Sequence, residues 1–280
     1  MPSRRRHATP AASGSSRAYG TDAYWLERYE RDEDDETNEW LVGWPVLSTF
    51  LRISRGAGVI DLGCGNSPLV FDLLRDHPES TALAMDIAPG AVEQLRKTQA
   101  LRLRRNEASA SQVTLACFDA CDASAWPSLP GSFGVLIDKS TTDGLLCDTR
   151  RGAARVRSIY ALAGRLLCPT AVVAVVSWRS PEDGLDWLVD VVLGGLRQAE
   201  REGERDDGTR SHWTLDAHSL QSGEALGPHI YLLSRRPRRV MPRRAAGGRH
   251  ATAAEADTEP GAEEALAVRL HVHEVCGKGP

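Results

Sequence analysis

Gly63-Cys64-Gly65-Asn66-Ser67 follows directly on the short apolar run Val59-Ile60-Asp61-Leu62. Glycines at such a turn let backbone N–H groups come close to a ligand at the start of the next helix. Dinucleotide and nucleoside binders both use a turn of this kind, so the turn alone does not separate them. The third glycine of the dinucleotide fingerprint would fall at position 68, which is Pro68, and this weakens a pyrophosphate-binding reading. No lysine follows the glycines, which excludes a P-loop. Asp61 sits just before the turn, within reach of a ligand's charged end. Asp86 lies 21 residues beyond Gly65, at the end of a second apolar run. A carboxylate there can accept hydrogen bonds from ribose hydroxyls. Asp119 ends a third run in the same way and is a candidate to read an adenine amino group, with Asp122 as its competitor. Three acids at successive strand ends would line the crevice in which open parallel sheets bind ligands.

The elements that must hold these residues alternate. Strands are predicted at 59–62, 81–85, 113–118, 133–137 and 171–178, the last apolar throughout as in a central parallel strand. Helices are predicted at 68–76, 91–104, 151–167 and 185–199, and 212–220 with 230–235 as a closing antiparallel pair. This alternation argues an α/β fold with a doubly wound, mostly parallel sheet. A late alternation from Ala267 to His273 reads as a strand of unknown partner, with His271 and His273 sharing a solvent-facing side.

Charge marks the edges of this unit. Residues 1–18 hold four arginines and no acid, and are expected to stay outside the fold as a disordered tail. Arg-rich, acid-free composition also suits a mitochondrial transit peptide, although Pro2 and Pro10 break an amphipathic helix. Residues 237–280 read as a low-complexity tail carrying the late strand, which leaves 19–236 as the folded domain. From Arg235 to Arg249 there are seven arginines and no acid, the one stretch suited to RNA; the acidic residues that follow neutralise it in part. The chain of 280 residues has 34 basic and 38 acidic side chains, a net charge of −4, which argues against a general nucleic-acid binder. Its longest apolar run is far short of the roughly 20 residues of a membrane-spanning helix. The six cysteines have no paired metal-ligand spacing, so free thiols in a reducing compartment, the cytoplasm, are expected and no metal is called for.

The glycine turn resembles motif I of class I S-adenosylmethionine-dependent methyltransferases. Its Gly-Cys-Gly-Asn-Ser form is similar to a narrower group, the methyltransferase-like proteins that methylate lysine on translation elongation factor 1-alpha, with the methyltransferase encoded alongside an endothelin-converting enzyme. Tyr24-Trp25-Leu26-Glu27-Arg28-Tyr29 resembles that group's opening Tyr-Trp-x-x-Arg-Tyr, and Glu39-Trp40 its following acidic or aromatic residue and Trp. Asp138-Lys139-Ser140-Thr141-Thr142-Asp143-Gly144 resembles its Asp-Lys-Gly-Thr-Leu-Asp-Ala. The resemblance implies a Rossmann-like seven-stranded sheet with S-adenosyl-L-methionine as cofactor. It implies that Trp25, Tyr29 and Trp40 cover the cofactor and that Gly63 and Gly65 contact its methionine part. Asp86 and Ile87 would hold ribose and flank adenine, Asp119 and Ala120 would read adenine, and Lys139 would lie at the methionine end. Without the family, the three aromatics simply staple an N-terminal helix to the sheet. Ser140, Thr142 and Gly144 depart from the group's Gly, Leu and Ala where a substrate should approach.

The implied reaction is methyl transfer to a protein lysine, with an elongation-factor-type protein as partner. Only a neutral amine has the lone pair to attack, and an apolar, aromatic-walled entrance favours that form. No general base is compelled; Asp138, Lys139 and Asp143 are the candidates. Two other classes stay open: a small-molecule methyltransferase with the same cofactor site, and a non-catalytic binding module using the arginine-rich arm.

Overall fold

The computed structural model describes residues 16–31, 39–203, 211–222, 225–237 and 267–274. Most of both expected tails, and the acidic run after Arg31, lie outside these residues. Within the described ones, Ser16–Gly20 is a 3-10 turn and 267–274 is a strand.

Eight strands form one sheet: β1 Gly58–Leu62, β2 Thr81–Asp86, β3 Val113–Cys117, β4 Phe133–Lys139, β5 Leu167–Ser177, β6 Ser211–Ser222, β7 Ala225–Pro237 and β8 Ala267–Glu274. Their order is β3-β2-β1-β4-β5-β7-β6-β8. The first five are parallel, and β7 pairs antiparallel with both β5 and β6. The helices are α1 Asp22–Arg31, α2 Trp44–Leu47, α3 Leu69–Asp76, α4 Pro89–Arg104, α5 Thr141–Leu145, α6 Gly152–Gly164 and α7 Gly194–Gly203.

A sheet covered on both faces needs apolar residues at consecutive positions, and β1 and β5 supply them. In β1, Ile60 and Leu62 pack with α6 and the segment leading to α7, whereas Val59 packs with α2 and α3 on the opposite face. Neighbouring strands divide in the same way, Leu83 and Met85 from Ala82 and Ala84, Leu136 from Val135 and Ile137. Each strand therefore presents its C-terminal end at one edge, between two apolar layers.

Three sequence expectations need correction. The sheet has eight strands, not seven, because the late alternation docks parallel on β6, with His218 opposite His271. Local pattern cannot name so distant a partner. His271 also does not stand alone, since its ring stacks on His218 at 4.9 Å. The helix expected over 151–167 ends at Gly164, and β5 begins at Leu167 rather than Ala171, its first residues joined to β4 across a register shift. Lastly, the segment expected as one helix over 185–199 is wound as a π-helix over Trp187–Leu193 and only then becomes α7. Arg157 of α6 donates to the Asp190 carbonyl in that stretch and lies against Gly194.

At the turn after β1, Gly63 and Gly65 have φ of +61° and +55°. That left-handed region costs an L side chain about 1–2 kcal/mol. A Cβ on Gly63 would also fall on the Thr141 side chain, and one on Gly65 on the Tyr29 hydroxyl. Gly131 isolates the conformational part of this cost, with φ +72° and no atom within 4 Å of a Cβ. In urea denaturation, Gly131→Ala should lose about 1–2 kcal/mol, and Gly63→Ala clearly more. Equal losses would mean that the Thr141 contact is unimportant.

Candidate functional site

A cleft of about 970 Å³, its open mouth included, lies over the C-terminal ends of β1 to β4. It sits where the strand order reverses between β1 and β4, the crevice open α/β sheets leave for ligands. The glycine turn forms its floor. Asp86 holds that turn from the end of β2, with Oδ2 accepting from Gly65 N at 2.9 Å and Oδ1 from Ala88 N at 2.8 Å. Each oxygen retains a lone pair for a ligand hydroxyl. Burial raises the Asp86 pKa, and the backbone N–H groups of Ala88, Gly65 and Ile87 act against that rise. Thr141 Oγ1 closes the other side by donating to the Leu62 carbonyl at 2.9 Å.

The walls come from distant parts of the chain. Trp25, Arg28 and Tyr29 of α1 line the cleft together with Trp40, Phe118 and Lys139. No residue of α1 is fully buried, so the helix lies across the cleft instead of in the core. Its Asp22 pairs with Arg155 of α6 at 2.7 Å, and Trp25 Nε1 donates to the Tyr19 carbonyl at 2.9 Å. The Arg28 guanidinium lies 5.8 Å from the Trp25 ring and 5.2 Å from the Trp40 ring, and its buried Nε has no hydrogen-bond partner. Lys139 Nζ is bound by Glu39 and by Ser67 Oγ, the latter at 3.0 Å, and Ser67 Oγ donates to Glu39 at 2.9 Å. That cluster ties the segment before α2 to the glycine turn.

Ten of the sequence-derived cofactor residues meet on this cleft: Trp25, Tyr29, Trp40, Gly63, Gly65, Asp86, Ile87, Asp119, Ala120 and Lys139. Asp119 lines it and accepts from Cys121 N at 2.9 Å. Its competitor Asp122 does not, and instead caps a 3-10 turn by accepting from Ser124 N at 2.9 Å. Asp61 is also absent from the lining. Alternation along β1 sends Leu62 toward the cleft and Asp61 to the opposite face, where both carboxylate oxygens are buried without a partner.

The carboxylates proposed for catalysis stand behind the wall as well. Asp138 is fully buried and accepts from Thr141 N at 2.8 Å, from Thr142 N and Oγ1, and from the Tyr160 hydroxyl at 2.8 Å. Burial lifts its pKa to about 6, against the pull of the Thr142 and Tyr160 hydrogen bonds. Asp143 accepts from Ser177 Oγ at 2.6 Å, Trp178 N at 2.9 Å and Ser140 Oγ at 3.2 Å. Of the three candidates, only Lys139 reaches the cleft.

The methyltransferase-domain family profile matches residues 53–192, half of the chain. The chain belongs to this family. It is a class I S-adenosylmethionine-dependent methyltransferase. It is 24% identical to the protein-lysine N-methyltransferase EFM4 of Saccharomyces cerevisiae over 197 residues, 63% of this chain and 82% of that one. It is also 24% identical over 164 residues to the eEF1A lysine and N-terminal methyltransferase of Xenopus laevis, matching 55% of this chain and 22% of that protein. The chain thus spans about a fifth of that relative's length. Among solved structures, a predicted O-methyltransferase from Agrobacterium tumefaciens is similar at 11% identity and a TM-score of 0.48, covering 85% of this chain and 90% of that one.

The cleft suits the cofactor on its own terms. Side chains at Gly63 and Gly65 would fill the cradle, an unpartnered Arg28 Nε lies within it, and Asp86 has acceptor capacity to spare. Arg28 was missed in the sequence reading, although it stands inside the quoted Tyr-Trp-x-x-Arg-Tyr stretch. Phe118 and Arg155 were missed as well, and only tertiary packing brings Arg155 of α6 to this edge.

Asp61 has a measurable consequence. Burial raises its pKa to about 7, with the Lys139 charge pulling the other way. The native state then holds this proton more tightly than the unfolded chain, whose Asp titrates near ~4. Stability from this group is present below that value and is lost as pH rises toward 7. Asp61→Asn should flatten the fall in melting temperature between about pH 4 and about pH 7. The same pH slope in both proteins would mean that Asp61 is already ionised in the fold.

Proposed function

We propose that this methyltransferase transfers its methyl group to a lysine of a protein, an elongation-factor-type substrate being the first choice. The reading is supported by the two curated relatives and by the Tyr-Trp-x-x-Arg-Tyr and Asp-Lys stretches. One observation carries it further: each carboxylate on or just behind the cleft at β3 and β4 already has a donor. Asp22 and Asp119 face Arg155, Glu39 faces Lys139, and Asp138 and Asp143 are saturated. A hydroxyl acceptor would need a free base, whereas an amine can lose its proton through desolvation alone. An entrance walled by Trp25, Tyr29, Trp40 and Phe118 supplies that desolvation.

S-Adenosylmethionine supplies an already activated methyl group on a sulfonium, so the protein's part is to hold, orient and exclude water. In our reading Asp86 and Ile87 hold the ribose edge, and Asp119 and Ala120 the adenine. The Gly63–Gly65 backbone and Lys139 attend the methionine part, Arg28 binds its carboxylate, and Trp25, Tyr29 and Trp40 close over it. Asp61 acts from beneath the turn as a buried acid within the field of Lys139. We assign the domain to residues 19–236, with the strand 267–274 completing its sheet, and the protein to the cytoplasm, in keeping with five unpaired cysteines among the described residues.

Cofactor affinity by calorimetry checks these roles. Asp86→Ala and Arg28→Met should each weaken binding by ~10-fold or more, a loss of at least about 1.4 kcal/mol. Asp86→Ala should also lower the melting temperature, because the carboxylate fastens Gly65. Asp119→Ala should weaken binding more than Asp122→Ala; the reverse order would move the adenine contact. For the substrate, protein extract incubated with methyl-labelled cofactor should yield methyl-lysine after acid hydrolysis. Label confined to small molecules would replace the protein reading, and absence of any transfer would leave a cofactor-binding module.

A further inference from the structure

Ser140 and Thr141 line the cleft at the end of β4. The next strand in the sheet is β5, and Ser140 N donates to the Val176 carbonyl at 2.9 Å. Immediately beyond stands Trp178, with 56% of its surface exposed. Four other large apolar side chains are exposed among the described residues, but they lie on α4, on β8 or in the loop before β4. Trp178 alone stands at the ligand-binding edge of the sheet.

Its backbone is fixed while its ring is bare. Trp178 N donates to Asp143 Oδ2, and Ser177, buried to 1% exposure, donates to Asp143 Oδ1. Arg179 N donates to Ser177 Oγ at 2.9 Å, and the Tyr231 hydroxyl holds the Arg179 carbonyl. Asp143 also accepts from Ser140 Oγ, so the cleft wall and the Trp178 mount form one hydrogen-bonded unit. Ser140 has φ +70°, a left-handed conformation that costs a non-glycine residue energy and persists where its surroundings over-determine it. The Trp178 backbone is thus fixed beside Ser140, at the edge of the cleft.

Acid stands close to the Trp178 backbone: Asp143 accepts its N–H, and Glu182 and Asp183 lie in the 3-10 turn that follows. The Arg179 guanidinium rests 5.8 Å from the Trp187 ring and pairs with Asp143 at 3.5 Å, offsetting that carboxylate. An exposed indole face can receive an ammonium and pack against an aliphatic stem.

We propose that Trp178 is the residue on which the acceptor lysine docks, its stem against the indole and its amine directed past Ser140 to the cleft. This rests on the protein-lysine reading above. Trp178 contributes to acceptor binding and not to cofactor binding. The test compares wild type, Trp178→Ala and Trp178→Phe, using methyl-labelled cofactor with graded amounts of whole-cell protein extract and, separately, its small-molecule fraction. Methyl-lysine formation by Trp178→Ala should fall at least ~10-fold at low extract and recover in part at high extract, while Trp178→Phe stays within about threefold of wild type. Cofactor affinity, measured alongside by calorimetry, should be unchanged in both. If wild type makes methyl-lysine and Trp178→Ala matches it, docking at Trp178 is overturned and the lysine reading stands. A fall that extract cannot restore, or one accompanied by weakened cofactor binding, also overturns the docking role. If wild type labels only small molecules, or nothing, the lysine reading fails and this proposal fails with it.

Discussion

The crossing from β1 to β2 is the constraint on which the rest of the site depends. Two glycines in left-handed conformation carry the chain out of the sheet, and the Asp86 carboxylate takes the Gly65 N–H to hold them there. The turn has no room for side chains because Thr141 and Tyr29 press on it from either side. Those two residues belong to α5 and α1, so the floor of the cleft, its β4 wall and its N-terminal cover share one set of contacts. A change at any of the three is felt by the other two.

Around this turn the molecule accepts an unusual density of buried acid. Asp61, Asp86 and Asp138 lie at the ends of three neighbouring strands, all raised in pKa by burial. Their solutions differ. Asp138 gathers four donors and stiffens the start of α5, whereas Asp86 fastens the glycine turn. Asp61 has no hydrogen-bond partner, and Lys139 is the charge that offsets it. An unpaired buried carboxylate costs stability unless it takes a proton or meets a cation. Of the three, Asp86 alone lines the cleft, so it alone would meet a bound cofactor directly.

Much of this was legible in the sequence because it is local. The apolar runs of β1 to β5, the glycine turn and the acids at strand ends depend on neighbours a few residues away, and ten named residues meet on the cleft. What escaped was set by facing and by distance. Asp61 and Leu62 are adjacent, yet strand alternation sends only one toward the cleft. Asp138 and Asp143 carry the right chemistry, but they are occupied by Thr142 and Ser140 from their own motif and by the Tyr160 and Ser177 hydroxyls from outside it. The partner of β8 and the π-wound stretch before α7 likewise rest on contacts with β6 and with Arg157. The departure at Ser140 was visible as a replaced glycine, and its left-handed φ gives the physical reason a glycine suits that position.

The central claim is that the glycine turn and the strand-end acids form a nucleoside site for a sulfonium cofactor and not for a dinucleotide. Titration calorimetry of the purified chain with S-adenosylhomocysteine, and separately with NAD, tests it most directly. The account expects saturable binding of one S-adenosylhomocysteine per chain and no measurable binding of NAD. Tighter binding of NAD would contradict it, and would mean that the turn accepts a pyrophosphate despite Pro68.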